Sequence, residues 1–278
     1  MDVYEEIILL RREGRTCALA SIVNTVGSIP ASSSAKMLVR DDGSIVGTIG
    51  GGAAEFEVIQ IAREVIEKEK PQSISFNLTQ RPGIDAGMVC GGSLDIFVEP
   101  IVPSPTLYIF GAGHCGLATY RVARSAGFDV VVIDDRETFA NRERFPDAKA
   151  IIVAELDVAV LQLAPNPASY IVSLTPGHMT DMRVLRWALG TKARYIGMMG
   201  SRRKVTGIFQ ELQKEGVPPE SFAKVHAPIG LDIGADNPEE IAISIVAELI
   251  ASRRHCEAAL ARRGLRPEAE ANRPKKIA

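Results

Sequence analysis

Four stretches of this chain combine residue types and spacings that chemistry could use. In "GMVCGGSLD", residues 87–95, Cys90 stands directly before Gly91 and Gly92. Amides on backbone so clear of side chains can lower a thiol's pKa or surround an anion. The alternative is a small buried hydrophobe, the default for Cys17 and Cys256. In "YIFGAGHCG", Gly111, Gly113 and Gly116 spell GxGxxG, and Asp134 follows about 20 residues later. The first glycine permits the turn, the second lets a pyrophosphate approach, and the third lets a helix lie close to the strand. Asp134 or Asp135 would hold a ribose hydroxyl. Arg136 comes next, so NAD and NADP are not separated. His114 and Cys115, inside the loop, either face a ligand or pack. In "SLTPGHMTD", His178 and Asp181 are three apart, near the start of a helix expected from about Thr180, where they bind a ligand, orient each other or cap the helix. In "MGSRRKV", Ser201 is a natural N-cap, but Arg202, Arg203 and Lys204 oppose the helix dipole. A docked phosphate would explain that arrangement; a solvated basic cluster is the alternative.

The elements that must position these groups fall into two styles. Residues 1–99 mix helix and strand. "VYEEIILLRREG" reads as an amphipathic helix, "TCALASIVN" as a buried strand, and "AKMLVRDDGSIVGTI" as a hairpin around Asp-Asp-Gly. Gly50, Gly51 and Gly52 then feed a helix whose apolar spacing runs through Phe56, Ile59, Val65 and Ile66. A helix start of that kind has free N–H groups and the positive end of the dipole, a seat for an anion. "QSISFNL" and "SLDIFVEP" read as strands flanking a loop that carries Cys90. Three prolines in "PIVPSP" make residues 100–105 a linker.

From 106 to 264 strands and helices alternate, with strands at "TLYIFGAG", "DVVVIDD", "AKAIIVAE", "SYIVSLT" and "RYIGMMG". Helices are expected at 116–126, near 157–163, at 179–189 and at 201–215. The strands are apolar nearly throughout, as when helices cover both faces of a parallel sheet. The fold class is therefore α/β: a mixed α+β N-terminal domain followed by a Rossmann-like, doubly wound parallel-sheet domain. A last helix starts at Pro238, capped by Asn237 or Asp236, and residues 265–278 form a polar tail.

The 278 residues are 46% hydrophobic and 24% charged, with a net charge of -2, so a mainly disordered chain is excluded and no face is built for a nucleic-acid backbone. No apolar run approaches a membrane span and the N-terminus lacks a basic signal region, which predicts a cytoplasmic protein. The four cysteines form no CxxC pair, which argues against a structural zinc site.

Taken in order, "GSIP", "AKMLVRDDGSIVGTIGGGAAE", "GMVCGG", "LYIFGAGHCGLA", "VIDDRETFANRERFPDA", "YIGMMGSRRK" and "PIGLDIGADNPEEIAISIVAELIA" resemble the XdhC/CoxI family of xanthine dehydrogenase accessory factors. Where many members read Pro-Arg and then a glycine before Lys-Met, this chain has Pro30-Ala31 and Ser34. The resemblance implies a homodimer that binds molybdenum cofactor (molybdopterin), promotes its sulfuration with a cysteine desulfurase and hands it to a molybdenum hydroxylase apoenzyme. It also implies that Cys90 contacts the molybdenum, with Gly91 and Gly92 beside it and the cofactor phosphate at Gly50 to Gly52. NAD(P) or another nucleotide would occupy the crevice formed by Gly111, Gly113, His114, Gly116, Asp134, His178, Asp181, Ser201 and Arg202. The competing reading is an NAD(P)-dependent oxidoreductase, or a nucleotide-sensing module, with His178 and Asp181 beside the nicotinamide.

Overall fold

Period-two alternation decides the first sheet. In β1 (Cys17–Val26), Ala18, Ala20 and Ile22 pack to one side, while Cys17 and Leu19 pack to the other. The computed structural model describes residues 2–27, 32–77, 92–254 and 256. It divides into two compact units, Met1–Ser104 and Pro105–Ala278.

In the first unit, β1 is joined by β2 (Lys36–Arg40), β3 (Ile45–Gly47), β4 (Gln72–Asn77) and β5 (Ser93–Ile101) in the order β3-β2-β1-β5-β4. Every pairing is antiparallel. Helix α1 (Val3–Glu13) closes one face with Val3 and Leu10, and its chain turns out at Gly14, as its apolar spacing predicted. Helix α2 (Gly52–Lys68) closes the other face with Val58, Ala62 and Val65. Phe56 is not on that face and is 67% exposed: the buried set keeps a strict three-to-four spacing that excludes it.

The proline-rich stretch expected as a linker begins inside the sheet, since Ala18 pairs with Pro100 and Cys17 with Ile101. The pairs with β4 stop at Val98, so beyond it one side of β5 is an edge, where a residue without an N–H is tolerated.

The second unit is a six-stranded sheet of β6 (Thr106–Phe110), β7 (Asp129–Asp134), β8 (Ala150–Val153), β9 (Ser169–Ser173), β10 (Tyr195–Met198) and β11 (Val225–His226). The order is β11-β10-β9-β6-β7-β8, all parallel. Leu107, Ile109, Val130 and Val132 pack under α3 (His114–Ser125) and α7 (Pro238–Arg253). Tyr108, Phe110, Val131 and Ile133 pack under α4 (Leu156–Ala159), α5 (His178–Leu189) and α6 (Arg202–Lys214). Both faces are dry, which is why these strands carry apolar residues at consecutive positions. Asn237 caps α7, accepting the Glu240 amide at 2.9 Å.

Strand β11 has two residues, too few for a sequence pattern. Glu248 of α7, fully buried, holds that edge together. It accepts the Tyr195 hydroxyl at 2.8 Å and the Gly230 amide at 2.6 Å, and pairs with His226 Nδ1 at 2.9 Å. No helix among the described residues is long and apolar enough to cross a membrane.

Candidate functional site

The chain leaves β6 toward β7 and β8 on one side and returns to β9 on the other, so the switch in strand order lies between β6 and β9. At a switch point the loops that follow the strands part, leaving a crevice at the carboxyl edge of the sheet. Here it measures about 240 Å³, and Gly111, Asp134, Asp135, Arg136, Glu155 and Thr175 are among its walls.

The three glycines have separate physical roles. Gly111 has φ +105°, and a Cβ there would meet the Leu174 carbonyl oxygen at 2.6 Å. At Gly116 a Cβ would lie 2.0 Å from the Gly111 oxygen, so only glycine lets α3 sit this close to the turn. Gly113 faces open space, with nothing within 4 Å of a built Cβ. An open, unshielded backbone at the start of a twelve-residue helix suits the approach of an anion. That helix begins at His114, two residues earlier than the sequence suggested, which leaves His114 exposed in its first turn.

Asp134, at the end of β7, is 7% exposed and accepts four N–H donors. The Ala112 amide is at 2.7 Å, the Arg136 amide at 3.1 Å, Arg136 Nε at 2.8 Å and Arg136 Nη2 at 2.9 Å. Burial alone would push this carboxyl up, but the Arg136 guanidinium and the two amides outweigh it and hold it below the ordinary aspartate value. The guanidinium also lies 4.1 Å from the centre of the Phe139 ring. Asp135 and Glu155 are exposed on the crevice wall.

His178 and Asp181 are not brought together. Helix α5 starts at His178 with Gly177 as its cap, so His178 occupies the first helical position and is exposed. Asp181 turns inward and is fully buried. It accepts Ser173 Oγ at 2.6 Å and Thr175 Oγ1 at 2.8 Å, and forms an ion pair with Lys204. That pair explains one cation in the first turn of α6: Lys204 neutralises a buried carboxylate on the neighbouring helix. Ser201 caps α6 as expected, accepting the Lys204 amide at 3.3 Å, and Arg202 is exposed beside it.

In the first unit, Cys90 and Gly91 lie outside the described residues, and Gly92 is buried just before β5. The glycine turn at Gly50 to Gly52 does feed a helix, but the anion seat expected there is already taken. Glu55 Oε2 accepts the Ile49 and Gly51 amides, each at 3.2 Å, and Thr48 Oγ1 at 2.5 Å. A first-turn acid is drawn to unpaired amides and the positive dipole end, and its charge then repels a phosphate. These residues do not fit the cofactor phosphate assigned to them. The signal was present in the sequence as "GGGAAE".

The Cys17 and Cys115 thiols are held in the protonated direction. Burial, with Asp41 and Glu6 nearby, pushes Cys17 up to about 11, and burial, with Glu239 nearby, raises Cys115. No cluster of His, Cys, Asp or Glu that could hold a metal occurs among the described residues. Sequence reasoning missed Glu155 and Thr175, which reach the crevice from the strand ends of β8 and β9.

The profile of the XdhC Rossmann domain matches residues 107–249, and that of the XdhC and CoxI family matches residues 10–77. The chain belongs to the XdhC and CoxI family. This XdhC/CoxI chain is 37% identical over 252 residues to the uncharacterized protein YqeB of Escherichia coli strain K12, which covers 90% of the chain and 46% of that protein. It is 33% identical over 162 residues to a probable xanthine dehydrogenase subunit of Bacillus subtilis strain 168, covering 58% of the chain and 46% of that relative. The chain thus spans about half the length of these two relatives. Against the molybdenum cofactor insertion chaperone PaoD of Escherichia coli K12 the identity is 22% over 294 residues, covering 88% of the chain and 86% of PaoD. A crystal structure described as a xanthine dehydrogenase from Bacillus halodurans aligns with TM-score 0.49 and 23% identity, over 92% of this chain and 96% of that one.

Proposed function

We propose that this XdhC/CoxI chain is a cofactor-handling accessory protein. It binds molybdenum cofactor, assists its sulfuration with a cysteine desulfurase and delivers it to a molybdenum hydroxylase apoenzyme of the xanthine dehydrogenase type. The observation that carries this reading is the match to PaoD, a named molybdenum cofactor insertion chaperone, over most of both chains. The proposed metal contact is Cys90, because a thiolate is a soft ligand of the kind that suits a thiolate-bound metal centre.

The second unit supports nucleotide binding without turnover. Its glycine loop leaves Gly113 open, whereas Asp181 is fully buried and ion-paired and His178 is exposed on the helix start. A hydride-transfer reading needs those two side chains to act together on a substrate proton.

The test is molybdenum content and the fluorescence of oxidised pterin in protein purified without oxygen from a cofactor-producing host. The wild type should carry both. Cys90→Ala should lose both and keep the wild-type melting temperature. A wild type that takes up neither, even after incubation with free cofactor, overturns the carrier reading. Full retention by the variant removes Cys90 from the site.

A further inference from the structure

In the second unit, two adjacent aspartates close β7, and the sequence offers either as the group that holds a ribose. Their surroundings differ. A carboxylate has about four lone-pair sites. Asp134 has four N–H donors on it, two to each oxygen, and is 7% exposed. It ties the glycine loop, through Ala112, to Arg136, and has no acceptor capacity left for a ligand.

Asp135 stands next to it with a side chain 54% exposed, on the crevice wall, and its nearest cation, Arg136 Nε, is 3.8 Å away and already bonded to Asp134. Glu155, exposed at the end of β8, is a second carboxylate on the same wall. The other wall cation, Arg183, pairs with Asp157 at 2.5 Å.

Accepting the nucleotide reading of the crevice, we infer that Asp135 holds the ribose hydroxyls and that the site selects a nucleotide with a free 2′-hydroxyl over its 2′-phosphorylated counterpart. The chemistry is one of donors and charge. Carboxylates accept hydrogen bonds only, so Asp135 and Glu155 call for ligand groups that donate, such as ribose hydroxyls or a base amino group. A 2′-phosphate brings a dianion with no donor to offer, against two carboxylates whose neighbouring cations have partners elsewhere. Arg136 by itself would suggest the opposite selectivity. In this structure its guanidinium is fixed by Asp134 and stacked on Phe139.

The experiment is calorimetric titration of the full chain with ADP-ribose and with ADP-ribose 2′-phosphate, which differ by that phosphate alone. ADP-ribose should bind about tenfold or more tightly, in line with a charge-assisted hydrogen bond gained on one side and repulsion on the other. Asp135→Asn, an isosteric change at an exposed position, should keep the wild-type melt, weaken ADP-ribose and narrow the preference. Equal or tighter binding of the 2′-phosphate, or an Asp135→Asn titration identical to wild type, overturns the inference while leaving the nucleotide reading standing. Binding of neither compound overturns the nucleotide reading, and the inference with it.

Discussion

Gly113 and Gly116 sit in the same loop yet should respond to alanine in opposite ways. Gly116→Ala drives a methyl into the Gly111 carbonyl, a backbone atom that cannot swing aside, and should destabilise the protein by about 1–3 kcal/mol in urea unfolding. Gly113→Ala adds a methyl to open space at an ordinary φ of −66°. Stability should be unchanged, while nucleotide affinity falls by about tenfold as the close backbone approach is lost. Asp134 gives a pH prediction. Its folded pKa lies below its unfolded value, so its contribution to stability is full above the unfolded value of about 3.9 and disappears as pH falls through the lower folded value. The stability gap between wild type and Asp134→Asn, followed by chemical unfolding at stepped pH, should therefore narrow below about pH 3.9.

Between elements, Asp181 joins α5 to β9 through Ser173 and to α6 through Lys204. Removing the carboxylate leaves a cation without its partner and takes the acceptor from the Ser173 hydroxyl, while Thr175 Oγ1 keeps the Gly177 carbonyl at 3.2 Å. Asp181→Ala should lower unfolding stability by about 3–5 kcal/mol. Asp181→Ala combined with Lys204→Met should recover part of the loss, because the stranded charge is gone. The strands and helices that carry this network were legible in the sequence, since apolar periodicity is local and long segments repeat it. The exceptions were short or exposed. Strand β11 has two residues and is positioned by Glu248, 22 residues along the chain from His226. Phe56 fits a helical spacing yet faces outward, because hydrophobicity alone does not say which of two neighbouring stripes meets the sheet.

For the molecule as a whole, the second unit contains its own sheet, both of its apolar cores and the crevice. A chain beginning at Pro105 should unfold in a single cooperative transition and titrate nucleotide as the full chain does. A non-cooperative melt would show that the unit depends on the residues before it. The sequence by itself determined the two styles of structure, the glycine fingerprint and the family, because each rests on residues close together along the chain. The tertiary structure decided which charged groups are available: Asp134 is bonded across 22 residues to Ala112, and Asp181 is paired across 23 with Lys204. Whether a carboxylate serves a ligand or the fold depends on which donors the converging loops bring within about 3 Å of it, and chain spacing does not encode that convergence.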